Sequence, residues 1–253
     1  MKSKLLLGAA VLALSITTGA AYAKPSAAVT AAIADAARPA ADSALDAERR
    51  PAEMLEFAGV KPGQTVVDLI PGGGYFTRIF SKAVGPKGTV YAVGGPPRPS
   101  TDPSKPTPTP AADTIAADAN YSNVKSLHVP LASGLVIPTK ADVVWTSQNY
   151  HDVKNIPNTD MLAFNKAIFA SLKPGGVFVV LDHVANPDTL NPTSTVHRID
   201  PAMVRKEVEA AGFKYEGEST ALRNPADDHS KNVFDPSLRH KTDQFIYKFS
   251  KPK

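Results

Sequence analysis

Between residues 64 and 70 the apolar positions Val66, Val67, Leu69 and Ile70 are interrupted only by Asp68. Such a run predicts a strand buried on both faces, as at the centre of a parallel sheet. After Pro71-Gly72-Gly73-Gly74 the period lengthens, and Phe76, Ile79, Phe80 and Ala83 recur at helical spacing, marking an amphipathic helix laid on that sheet. Gly85-Pro86-Lys87-Gly88 stops the helix and residues 89–93 form a second strand, completing a βαβ unit with the usual right-handed crossover. Upstream, Pro51 suits a first helical turn, and Met54, Leu55 and Ala58 form a stripe that ends at Lys61-Pro62-Gly63.

The alternation continues downstream. A short Ala-rich helix over 111–119 precedes strands over 124–129 and 141–146, then a loop from Ser147 to Asp152. Met161, Phe164, Ile168 and Leu172 mark a helix ending at Lys173-Pro174-Gly175-Gly176, before a strand over 177–181 that runs into Asp182-His183. Asp200-Pro201 reads as the N-cap and first-turn proline of a helix to Ala211, closed by Gly212; strands over 213–218 and 242–249 finish the chain. Repeated strand and helix alternation predicts an α/β fold with a doubly wound sheet.

Two stretches lack this periodicity. Residues 24–47 are rich in Ala and Asp and are interrupted at Arg38-Pro39, predicting a loosely held N-terminal arm. Residues 95–110 carry seven prolines from Pro96 to Pro110 and predict an extended insertion whose middle is a solvated spacer. The remainder, residues 48–253, reads as a single domain carrying that insertion.

Residues 1–23 have Lys2 and Lys4, an apolar segment from Leu5 to Ile16 too short to span a bilayer, and Ala21-Tyr22-Ala23. This is the pattern of a cleaved secretory signal, so the chain is expected to be exported, to the periplasm, with Lys24 as its first mature residue. The absence of Cys suits an oxidising compartment without disulfides. Losing Lys2 and Lys4 lowers the formal charge of +4 by two, and no run of Lys and Arg remains. Nucleic acid and, after signal removal, membrane surfaces are therefore not expected partners, which leaves a small molecule.

Candidate chemistry collects at the predicted carboxyl ends of strands. Asp68 and the glycines at 72–74 lead into a helix N-terminus, an arrangement in which backbone N–H groups approach a nucleotide-type ligand. Tyr150, His151 and Asp152 follow the fourth strand, Asp182 and His183 end the fifth, and His197, Arg198 and Asp200 precede the next helix. In a doubly wound sheet these loops meet over one crevice, where a His acts as a general base. Each also has a structural reading: His151-Asp152 as a turn cap, Asp200 as an N-cap, His197 bonded to a carbonyl. With no Cys and no His-x-x-x-His spacing, no metal site is expected. Residues 223–236 form a polar, turn-rich insertion, either a lid over the crevice or a surface connection.

The segments Val67-Asp68-Leu69-Ile70-Pro71-Gly72-Gly73-Gly74-Tyr75-Phe76-Thr77, residues 84–93 and Leu172-Lys173-Pro174-Gly175-Gly176 resemble the class I S-adenosylmethionine-dependent methyltransferases, over roughly Pro51 to Lys251. More narrowly, Asn149-Tyr150-His151-Asp152, His197-Arg198-Ile199-Asp200 and residues 223–228 resemble an exported bacterial group of predicted methyltransferases. The resemblance implies a Rossmann-like seven-stranded sheet with its last strand antiparallel, and methyl transfer to a small molecule. It places S-adenosylmethionine at Asp68, Gly72, Gly73, Gly74, Tyr75 and Gly94, with His151 as leading base among Tyr150, Asp152, His183 and His197. Three positions depart from the family pattern: Ile70 stands at the first glycine, Gly94 at the acid that holds the ribose, and Val129-Pro130-Leu131, with Ser133 nearby, where an acid adjoins the adenine. A lost charge-assisted hydrogen bond costs about 1.5–3 kcal/mol, roughly ten- to hundred-fold in affinity. A second reading therefore stays open, a ligand-binding protein that kept the fold and lost the cofactor's anchors.

Overall fold

The central strands bury both faces. Val66, Val90, Val143, Trp145 and Val179 pack on one side of the sheet, while Val67, Tyr91, Val144, Phe178 and Val180 pack on the other. Side chains alternate along a strand, so an unbroken apolar run supplies two cores at once. The structure, a computed structural model, describes residues 24–253; the signal segment expected at 1–23 lies outside the described residues.

Helices α1 (Ala27–Ile33), α2 (Ala40–Ser43), α3 (Asp46–Arg49) and α4 (Pro51–Ala58) precede β1 (Thr65–Leu69). Then come α5 (Tyr75–Val84), β2 (Thr89–Gly94), α6 (Ala111–Ala117), β3 (Val124–His128) and β4 (Ala141–Ser147). The chain ends with α7 (Tyr150–Lys154), α8 (Met161–Ser171), β5 (Leu172–His183), α9 (Pro192–Thr195), α10 (Pro201–Ala210), β6 (Lys214–Ser219) and β7 (Gln244–Ser250). The sheet order is β3-β2-β1-β4-β5-β7-β6, with β7 antiparallel to both neighbours and every other pairing parallel. This is the doubly wound seven-stranded sheet expected from the sequence. The winding reverses between the adjacent strands β1 and β4, so their carboxyl ends open a crevice that no crossover fills.

The first face is held by α1, α4, α5 and α6. Phe76 and Phe80 of α5 lie 4.8 and 5.8 Å from the Trp145 ring, locking that helix to β4. Helix α5 starts at Gly74, whose φ of +81° is a left-handed conformation. A Cβ there would come within 2.1 Å of the tip of the Ile115 side chain on α6, so a larger residue would have to displace that side chain as well as adopt the left-handed φ.

Several expectations change. The arm at 24–47 is not loose: Ser26 caps α1, Val29 and Ala32 are buried in the core, and α1 packs on α5. Ion pairs replace the missing apolar contacts, with Arg38 on Asp46 at 2.6 Å, Arg78 on Asp42 at 2.9 Å and Lys82 on Asp35 at 3.1 Å. The segment expected as a loop from Ser147 to Asp152 turns into α7 at Tyr150. Lys173-Pro174-Gly175-Gly176 is not a free turn but a bulged lead-in to β5, because Gly175 N–H bonds the Lys251 carbonyl and Lys251 N–H bonds that of Gly176. Finally, β7 begins at Gln244, and the Asp243 carboxylate just before it is taken up by Arg223, His229 and the Asn224 N–H.

Among the described residues no helix is long and apolar enough to cross a membrane.

Candidate active site

A cavity of about 390 Å³ opens over the carboxyl ends of β1 and β4. Asp68, Gly72 and Gly73 form one wall, and His151, His183 and His197 converge on the other. A second cavity of about 300 Å³ lies on the β2 side, floored by Gly94 and edged by Pro96, Pro97 and Pro110. Ile70, Pro71 and Gly72 line both, so the glycine loop is the ridge between them. The ends of the Pro-rich insertion thus frame a cavity, while most of residues 101–109 is exposed as expected of a spacer.

The glycine loop is held in an unusual shape. Ile70 adopts φ +59°, a left-handed conformation that a β-branched residue rarely takes. Its N–H bonds the Val93 carbonyl at 2.7 Å and its carbonyl accepts from Asn149 Nδ2 at 2.9 Å, so β2 and the β4 loop grip it from both sides. Gln148 (φ +61°) and His197 (φ +54°) line the same cavity in the same backbone region. Each costs of order 1–3 kcal/mol and persists only where the surroundings over-determine it, a pattern that concentrates at binding sites. A Cβ on Gly72, Gly73 or Gly94 would meet nothing within 4 Å, so these glycines border open space.

Asp68 is buried at the end of β1, and Thr77 donates its hydroxyl to Oδ2 at 2.6 Å. Burial raises its pKa to about 6, against the opposing pull of Thr77 and Arg49. Arg49, from α3, lines the cavity with its guanidinium 4.7 Å from the Tyr75 ring and makes no ion pair among the described residues. A buried carboxylate and an unpaired cation therefore face one cavity.

The opposite wall centres on His151, which is 2% exposed. Its Nδ1 lies 2.7 Å from Asp182 Oδ1, and the fully buried Asp182 also accepts the N–H groups of His183 at 2.8 Å and His151 at 3.0 Å. Burial alone would lower the His151 pKa, but the charge and hydrogen bond of Asp182, with Asp152, raise it above the ordinary imidazole value. Burial would likewise raise Asp182, yet His151, His183 and the backbone donor hold it below the carboxylate norm. With Nδ1–H given to Asp182, the lone pair of Nε2 is left free; that atom has no hydrogen-bond partner among the described residues. His183 donates or accepts through Nδ1 at Thr242 Oγ1, 2.8 Å away, and burial lowers its pKa to about 4, so it stays neutral at pH 7.

The sequence-derived candidates separate on this geometry. Asp68, Gly72, Gly73, Tyr75, His151, Asp152, His183 and His197 line the first cavity, and Gly94 lines the second. Tyr75 offers its ring only, because its hydroxyl donates to Asp46 at 2.6 Å. Gly74 is turned away toward Ile115, serving helix packing. Tyr150 is not brought to the cavity either: it packs under the sheet against Phe164, and its hydroxyl accepts from Asn165 and donates to Glu207. One residue along α7 from His151 is enough to point the ring into the other core. Arg198 is a buried clamp rather than a cavity residue, paired with Asp227 at 2.9 Å and bonded to the Lys231 and Val184 carbonyls. Asp200 caps α10 by accepting from the Ala202 N–H. The clamp tethers the 223–236 insertion so that Val233 and Phe234 reach the cavity rim, Phe234 being 64% exposed with its ring 5.0 Å from His197. Arg49 is the cavity residue that site reasoning from sequence passed over, while Asp182 and Phe234 were placed near the crevice without a role. Nothing in the local pattern around Arg49 separates a cavity cation from an ordinary charged residue on the exposed side of a helix.

No protein-family model and no curated protein matches the sequence. Solved structures do match. An S-adenosylmethionine-dependent methyltransferase of Aquifex aeolicus aligns with TM-score 0.57 and 18% identity over 83% of this chain and 95% of its own. A suggested sarcosine dimethylglycine methyltransferase of Galdieria sulphuraria aligns with TM-score 0.57 and 14% identity, covering 84% and 88%. A suggested methyltransferase of Bacillus halodurans aligns with TM-score 0.51 and 17% identity, covering 80% and 98%. At these identities the likeness concerns architecture, and it agrees with the strand order and the antiparallel β7. The chain has the fold of the class I S-adenosylmethionine-dependent methyltransferases.

Proposed function

We propose that the protein is an exported S-adenosylmethionine-dependent methyltransferase that acts on a small molecule, with the His151–Asp182 pair accepting the acceptor's proton. The observation that carries this reading is a buried, carboxylate-oriented imidazole facing an open glycine loop across one cavity. Such a pair gains little stability over apolar packing, and unlike the Arg198–Asp227 clamp this one lines the cavity through His151, which favours a chemical role.

The residues present fit the cofactor at its amino-acid end. Asp68 offers a carboxylate to an ammonium, Arg49 a guanidinium to a carboxylate, and Gly72 and Gly73 leave room for close backbone approach. Beyond the ridge the second cavity presents proline rings to a nucleoside, but Gly94 supplies no acceptor for ribose hydroxyls. His128, already paired with Asp113 at 2.9 Å, and Arg98 are the ionisable residues lining that side. The fit is complete at one end and weakened at the other, so affinity should fall below that of a site with the acid in place. When bound, the cofactor supplies an electrophilic methyl group.

The chain's own residues do the rest. Asp182 fixes the His151 ring and its tautomer, so that Nε2 takes the proton shed by an acceptor hydroxyl or amine as it becomes a nucleophile. Asp182 then stabilises the imidazolium by charge. Phe234 and Val233, at the rim, offer apolar contact to the body of the acceptor. Export rests on the residue pattern at 1–23, and the small-molecule acceptor on the modest cavity and the lack of a long Lys/Arg run in the sequence.

The test is transfer of label from methyl-labelled S-adenosylmethionine to small molecules of a cell-envelope extract. Label should move to a low-mass product with the unaltered protein and fall about 10²- to 10⁴-fold with His151→Ala, while cofactor affinity stays the same. Undiminished transfer by the variant would remove His151 from the mechanism.

A further inference from the structure

Three donor atoms meet on the histidine wall of the cavity. One atom each from His151, Asp152 and His197 lies within 4.8 Å of the others. Asp152 Oδ1 is 3.4 Å from His151 Nε2 and 3.7 Å from His197 Nδ1. Ligands about 2.0–2.1 Å from a common cation stand roughly 3–3.5 Å apart, so the set is nearly closed around such a point. Asp152, 47% exposed at its side chain, and the half-buried His197 have the freedom to close the remainder.

A second, independent observation concerns His151 itself. Its side chain retains only 3% exposure, and Nε2 is enclosed without a hydrogen bond, the Asp152 carboxylate at 3.4 Å being its ionic neighbour. A buried polar atom left without a hydrogen bond calls for a specific explanation, of which a bound ion is one. The Nδ1–H on the far side of the ring is held by a buried carboxylate, the arrangement that fixes tautomer and direction in metal-bound histidines. The His197 backbone sits at φ +54° beside the buried Arg198–Asp227 clamp, and its ring stands 5.5 Å from that of His151 and perpendicular to it.

We propose that His151 Nε2, Asp152 and His197 bind one divalent transition-metal cation through two imidazoles and one carboxylate. Imidazole donors suit Zn²⁺, Co²⁺, Mn²⁺ or Fe²⁺ better than Mg²⁺ or Ca²⁺, which favour sets of oxygen ligands. Asp152 and Asp182 together balance the double charge. The open positions of the cation would face the cavity beside Phe234, so the acceptor class is a molecule joining an oxygen donor to an apolar or aromatic body. In that state His151 serves as a ligand, and the cation takes over the lowering of the acceptor's pKa. The acceptor class rests on the methyl-transfer reading; the metal site does not.

Chelator-treated protein, with no S-adenosylmethionine present, is titrated with Co²⁺ by visible absorption and with Zn²⁺ by calorimetry. The expected result is one equivalent bound, with affinity falling at least tenfold in Asp152→Asn and His197→Ala, and unchanged in His128→Ala. Asp152→Asn is isosteric and its side chain is half exposed, so it keeps the fold should His197→Ala not. No binding, or binding indifferent to Asp152→Asn, would overturn the site. Because cofactor is titrated separately into the metal-free protein, loss of either proposal leaves the other readable.

Discussion

Asp182→Asn keeps the shape of the buried wall while removing its charge, and the consequences can be followed atom by atom. Asp182 Oδ1 accepts from His151 Nδ1–H at 2.7 Å and the His183 N–H at 2.8 Å, and Oδ2 accepts the His151 N–H at 3.0 Å. An asparagine has one such oxygen. Placed at Oδ1, it retains two bonds but turns its NH₂ toward the His151 N–H, donor against donor. Orphaning that N–H costs about 1–3 kcal/mol, and exchanging a charge-assisted bond for a neutral one adds about 1 kcal/mol, so the variant should lose about 2–4 kcal/mol. Without the carboxylate, burial becomes the dominant influence on His151, and its pKa should move down. The sign follows by linkage. A raised native pKa stabilises the fold below the unfolded value of His and loses that contribution as the pH rises through the native value. The gap between the two proteins should thus be widest on the acid side of neutrality and narrow above the native His151 pKa. Urea denaturation over about pH 5.5–8.5 measures the gap, and ring-proton NMR follows His151 directly. A loss under about 0.5 kcal/mol, or a His151 titration that stays or rises, would refute the orientation argument.

Burial holds native His183 at about 4 while the unfolded chain titrates near 6.5, so stability should fall as pH drops through that window, by up to about 3 kcal/mol. Asp68, raised to about 6, works in the opposite sense, so the check is the difference between wild type and His183→Gln, whose curves should converge in acid; parallel curves would be the contrary result. Gly94→Glu restores a ribose acceptor at a position where a Cβ meets nothing within 4 Å, and calorimetry should show S-adenosylmethionine binding about ten- to hundred-fold tighter. Tyr150→Phe removes a hydroxyl buried between Asn165 and Glu207, and should cost about 1–2 kcal/mol in urea denaturation while leaving methyl transfer intact.

The architecture was legible because it follows from local periodicity. The double apolar run around Asp68, the helical spacing from Phe76 to Ala83 and the Asp200-Pro201 start signal each depend on neighbours a few residues away. The arm was misread for the converse reason: Arg38 with Asp46 and Arg78 with Asp42 hold it through charges whose partners only the fold supplies. The same limit separated the site residues. His151 and Asp182 are 31 positions apart, and parallel pairing of β4 with β5 brings them together. Tyr150 and His151 are adjacent, yet α7 begins there and sends them to opposite environments, which a loop reading could not anticipate. Ile70 appeared as a missing glycine; the structure shows a left-handed turn at that position, held by Val93 and Asn149 despite the side chain.

Calorimetric titration of the purified protein with S-adenosylmethionine tests the central claim most directly. The account predicts one equivalent bound at the glycine loop, lost in Gly72→Val, where a branched side chain would stand in the cavity at φ +54°, and retained in His151→Ala. No heat and no thermal shift at millimolar cofactor would contradict it, leaving a methyltransferase fold whose cavity serves a different ligand.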